Sequence, residues 1–103
     1  MSKPVPDKAE VALEYPDKLY IGTFARAASF DAHVDRTGIA LTLHRGSGEE
    51  RKSVRMHFDY GLFAEILREL AGSIPSIPPD DRNHRAQLAE AAGDLLVALS
   101  HTK

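Results

Sequence analysis

Between Phe30 and Asp59 the chain alternates apolar and polar residues in three successive runs, and this pattern restricts the fold more than any other feature. Phe30, Ala32 and Val34 alternate with Asp31, His33 and Asp35. Ile39, Leu41 and Leu43 alternate with Ala40, Thr42 and His44. Val54, Met56 and Phe58 alternate with Arg55, His57 and Asp59. Side chains of a strand point to opposite faces in turn, so a period of two places each apolar set on one face of a sheet. The first two runs are joined by Asp35-Arg36-Thr37-Gly38, whose turn chemistry closes a hairpin. A charged loop with two glycines, Arg45 to Lys52, leads to the third run. The result is an antiparallel meander.

Upstream, Leu19 to Ala25 is rich in aromatic and β-branched residues and reads as a further strand, with Gly22 marking a bulge or a close approach. Val11, Leu13 and Tyr15 also alternate, although residues 9–14 would tolerate a helical turn as well. Pro6-Asp7 and Pro16-Asp17 read as turns. Residues 1–8 hold two prolines and no periodicity, so a flexible N-terminal tail is expected there, followed by a single domain over 9–103.

Downstream the period changes. Leu62, Phe63, Ile66, Leu67 and Leu70 fall at helical spacing, with Asp59 placed to cap and Gly72 to stop the helix. Residues 74–79 carry prolines and predict a non-helical connector. Asp80 or Asp81 then caps a second helix with Leu88, Ala92, Leu95, Leu96 and Leu99 along one stripe. The expected fold is α+β: an antiparallel meander of about four strands, followed by two amphipathic helices, near 60–72 and 81–100, packed on one sheet face.

Composition narrows the function classes. There is no cysteine, which excludes disulfide staples and thiolate chemistry. No signal-peptide run or membrane-length apolar segment is evident, so a cytoplasmic protein without a membrane partner is expected. The net charge of -2 gives no global attraction to nucleic acid, yet residues 26–58 sum to +2 and residues 59–103 to -3.

The alternation that fixes the apolar face also fixes its opposite. If Val34 pairs with Ile39 and Leu43 with Val54, then His33 and His57 flank Ala40 from either side, about 9–10 Å apart. Asp31, Thr42 and Arg55 form the adjoining row, with His44 beyond it. Metal-binding histidines come with short spacings or converging carboxylates, and neither is present in the sequence, so no metal or cofactor is expected. The face reads as a solvated sheet surface or as a pH-sensitive contact surface.

Gly46-Ser47-Gly48 lacks the Lys-Ser/Thr of a phosphate loop, no serine lies in a nucleophile elbow, and no enzyme is expected. The order of elements from Leu19 to Leu70 resembles the four-strand-then-helix unit of whirly-type single-strand binders and, more loosely, of Pur-type domains. That resemblance implies a dimer that lays single-stranded nucleic acid across its sheets. Such binders use aromatic platforms and a basic groove, whereas here Arg55 is the one firm base on the outer face. Arg26, Arg45, Arg51 and Lys52 could supply a rim at the loop edge.

The reading favoured by the sequence is a non-catalytic binding or assembly module that pairs with a protein partner or forms a homo-oligomer. Its candidate surface is His33, His57, Arg55 and His44, with Arg51 and Lys52 at the loop edge.

Overall fold

The computed structural model describes residues 2–78 and 80–101. The chain divides into two compact units, 1–66 and 67–103, and each is described by itself. The class is α+β, with antiparallel sheets and two helices.

In the first unit, strands β1 (Lys3–Pro4), β4 (Ser29–Val34), β5 (Gly38–Arg45) and β6 (Lys52–Asp59) form one sheet in the order β1-β4-β5-β6. Its last three strands are the meander that alternation predicts, in the predicted register. Val34 pairs with Ile39, His33 with Ala40, Leu43 with Val54, and Ala40 with His57. Strands β2 (Ala9–Tyr15) and β3 (Lys18–Phe24) form a separate two-stranded sheet that turns through Pro16-Asp17, so Tyr15 pairs directly with Lys18. The segment 9–15, ambiguous in sequence, is therefore a strand. Gly22 pairs in sequence with Val11, without a bulge. It is a close-approach point, because a β-carbon there would lie 2.6 Å from the Tyr20 hydroxyl oxygen.

The N-terminal segment, where the sequence suggests a tail, carries strand pairing. Lys3 and Pro4 pair with Phe30 and Ser29, the Val5 N–H donates to the Ala28 carbonyl (3.1 Å), and Val5 is buried. Proline lacks a ladder donor but is accommodated on an edge strand, which is where β1 lies. One apolar residue among prolines gives no periodicity to read.

Val5, Phe24 and Ala28 form the core of this unit, joined by Ala9, Val11, Phe30, Leu43 and Val54. Phe30, Leu43 and Val54 are opposed across β4, β5 and β6 and make one apolar row of the sheet. Phe24 has no exposed surface, and burying such a ring stabilises by about 1.5–3 kcal/mol. The Arg45 guanidinium lies 5.2 Å from the Phe24 ring centre and donates to the Thr23 carbonyl at 2.8 Å. Arg45 thus ties β5 to the β2–β3 hairpin.

The second unit begins within helix α1 (Tyr60–Ser73) and contains helix α2 (Arg82–Ser100). Helix α1 runs one residue beyond Gly72, and the connector opens with a 3-10 turn, Ile74–Ser76, that the prolines were expected to exclude. Pro75 sits at the start of that turn, where no N–H is needed. Asp81 caps α2, its carboxylate accepting the His84 N–H at 3.2 Å. Arg85 reaches back from α2 to the carbonyls of Pro75 (3.2 Å) and Ile77 (2.6 Å). Neither helix has a buried residue among those described. Among the described residues, no helix is long and apolar enough to cross a membrane.

Candidate functional site

The polar face of the meander is a shallow concavity of about 460 Å³ lined by Asp31, His33, Ala40, Leu41, Thr42, His44, Arg55, Met56 and His57. Strand alternation is the cause: every polar residue named except Asp31 and His33 comes from β5 or β6, and all point to the face away from Phe30, Leu43 and Val54. Ala40 leaves the floor low because its side chain is a single methyl group between His33 and His57.

The two better-connected histidines have different surroundings. At His44 the Arg51 Nη2 lies 2.9 Å and the Ser53 Oγ 3.0 Å from Nδ1. A guanidinium can only donate, so Nδ1 accepts and the ring proton sits on Nε2. That nitrogen lies 3.9 Å from an Asp31 carboxylate oxygen.

At His57 the Nε2 lies 3.0 Å from Asp35 Oδ2 and 3.4 Å from Thr37 Oγ1, while Nδ1 is 3.5 Å from Asp59 Oδ1. Asp35 is held by its own turn. Its Oδ1 accepts the N–H groups of Thr37 (2.8 Å) and Gly38 (2.9 Å) and the Thr37 hydroxyl (3.1 Å). These bonds to the ionised form, the two backbone donors first, lower its pKa to about 2. The Tyr60 hydroxyl donates to the Asp35 carbonyl and secures the turn from the start of α1.

Of the predicted site residues, the structure gathers His33, His44, Arg55 and His57 around one concavity. Arg51 joins it through His44. Lys52 does not; it lines a separate loop-edge depression with Arg45, Gly46, Glu49, Glu50 and Arg51. The basic rim expected there is thus interleaved with acids, and two of its bases are engaged, Arg45 on Phe24 and Arg51 on His44. Gly46 and Gly48 have φ of +80° and +59°, which lets the loop fold into a 3-10 turn, Gly48–Glu50. The Asp35–Thr37–Asp59 contacts of His57 were missed in sequence. Asp-x-Thr-Gly is the signal that could have located them, because an Asp at that turn position accepts the following N–H groups.

Chemically the face offers hydrogen-bond donors to a partner. The side chains of Arg55 and His33 have no hydrogen-bond or ion-pair partner among the described residues, and no group of His, Asp and Glu side chains among those residues is arranged to hold a metal. No Phe, Tyr or Trp side chain lines the concavity. No protein-family model, curated protein or solved structure matches the chain.

Proposed function

We propose that the protein is a small non-catalytic assembly module that associates with further copies of itself. The observation that carries this reading is how little apolar surface the first unit buries on its own. Among its described residues only Val5, Phe24 and Ala28 are buried hydrophobics. Beyond the row that Phe24 covers, the same sheet face continues as Ala32, Leu41 and Met56, then Val34, Ile39 and Phe58. Val34 keeps 65% of its surface exposed and Met56 37%, and on the hairpin Leu19 and Ile21 keep 62% and 67%. Exposed apolar surface of this kind marks interaction sites, and burying it on a second copy removes it from water at roughly 25 cal/mol per Å².

Single-stranded nucleic acid is less well supported, because no Phe, Tyr or Trp lines the concavity and two of the loop-edge bases, Arg45 and Arg51, are engaged. The deciding measurement is solution mass over a wide concentration range, paired with urea unfolding. Association predicts a species heavier than the 11.3 kDa chain and a midpoint that rises with concentration. A strictly monomeric species with a concentration-independent midpoint would overturn the reading.

A further inference from the structure

Among the described residues, strand β6 is the outer strand of its sheet, eight residues long, with β5 on one side only. At the opposite edge, β1 is two residues long. Long open edges are templates for another strand, and chains normally blunt them. The backbone phase of β6 follows from one bond. The Tyr60 N–H donates to the Thr37 carbonyl at 3.2 Å, and these residues continue the β5–β6 register, in which Gly38 opposes Asp59. Bonded and non-bonded pairs alternate along an antiparallel ladder. Residues 54, 56 and 58 therefore spend their backbone groups on β5, and Ser53, Arg55, His57 and Asp59 turn theirs to the open edge.

We infer that β6 pairs edge to edge with β6 of a second copy, antiparallel about a two-fold axis through Met56, and so makes one continuous sheet of the two meanders. This names the contact within the self-association proposed above and rests on that reading. Directly opposed residues of antiparallel strands share a face, so the axis must pass through a residue position. Through Met56 the outward residues meet outward residues, Ser53 with the partner's Asp59 and Arg55 with the partner's His57. Every outward N–H and C=O then finds a mate. On the apolar face Val54 meets the partner's Phe58, and Met56 meets its own copy.

Charge distinguishes this register from its neighbour. Arg55 lies diagonal to the partner's Asp59, an attraction, and equally diagonal to the partner's Arg55, a repulsion that offsets it. An axis through Arg55 would instead oppose two guanidinium groups. An axis through His57 would require Ser53 to pair with the partner's Gly61, which is already in α1. The two-fold also gives each concavity a new neighbour, the partner's Arg55 beside His57.

The absence of native cysteine makes the axis directly testable. Met56→Cys places one thiol opposite its own copy, within disulfide reach, and mild oxidation is expected to yield a covalent dimer. Val54→Cys is expected to yield far less, because its thiols lie on either side of the axis, well beyond the ~7 Å limit between α-carbons. Arg55→Pro removes an outward N–H and leaves the β5 ladder intact, so the dimer Kd should rise by at least about tenfold with circular dichroism unchanged. Association of the wild-type chain without selective cross-linking of Met56→Cys would overturn the edge pairing and leave self-association standing. A wild-type chain that stays monomeric would overturn both.

Discussion

Gly38 stands so close to the Phe58 backbone that a β-carbon on it would lie 2.0 Å from the Phe58 carbonyl oxygen. Its φ is not in the left-handed region, so glycine is required here for space rather than for turn geometry. The obstacle is main chain and cannot swing aside as a side chain could. Gly38→Ala should therefore push β5 from β6 at the end that carries His57, costing about 1–3 kcal/mol in urea unfolding. Gly93→Ala in α2, with nothing within 4 Å of the new methyl group, should stabilise by about 0.5–1 kcal/mol and serves as the control.

Asp35 carries a pH dependence whose sign follows from its bonds. Its folded pKa, about 2, lies below the ordinary value of 3.8 because backbone and hydroxyl donors hold the carboxylate. A depressed acid contributes stability that is fully present above the unfolded pKa and is lost as pH falls through the folded one. Unfolding midpoints of the wild type should therefore drop between about pH 4 and pH 2. In Asp35→Asn that decline should be shallower, since the amide oxygen still accepts the turn N–H groups but does not titrate. Parallel curves for the two proteins would exclude the assignment.

Phe24 and Arg45 hold the hairpin against the sheet by different means. Phe24→Ala should cost about 3–5 kcal/mol, because the ring is fully enclosed. Arg45→Met keeps the aliphatic stem but removes the guanidinium from the ring and from the Thr23 carbonyl, and should cost about 1 kcal/mol. Thermal unfolding of both variants checks the ordering.

Arg85 makes a local prediction in the second unit. Its bonds to the Pro75 and Ile77 carbonyls tie α2 to the connector. Arg85→Ala should speed amide exchange and proteolysis around residues 74–78 while leaving the first unit's exchange unchanged.

At His44 the bonding predicts a single tautomer, with the proton on Nε2, because Arg51 and Ser53 both direct donors at Nδ1. Nitrogen-15 chemical shifts of the ring near pH 8 would show it directly. Arg51→Ala should reduce the preference, and an Nδ1–H majority in the wild type would contradict the geometry.

The meander was legible because two independent signals agreed on it. Alternation fixed the faces, and the Asp35–Gly38 turn fixed the register, so His33, Ala40 and His57 could be aligned by counting. The role of Gly38 was not legible, since a glycine at a turn looks the same whether it serves dihedral freedom or clearance. Val5 and Arg45 escaped for a related reason. Each makes its contact across a long sequence separation, Val5 to Ala28 and Arg45 to Phe24, and no periodicity links one such residue to its partner. Pairing of β2 with β3, rather than of β3 with the meander, reflects loop closure: a two-residue turn brings Tyr15 to Lys18 at low entropic cost.

The backbone phase of β6 sorts its positions into two sets with separate duties. At 54, 56 and 58 the main chain is bonded to β5 and the side chains lie on the apolar face, with Val54 packed against the core. At 53, 55, 57 and 59 the side chain lies on the polar face, Arg55 and His57 lining the concavity, while the main chain faces outward. A change of residue at one of the latter positions can retune what the surface recognises at small cost to folding. Along this one strand, a mutational scan should find tolerance to substitution rising and falling with a period of two.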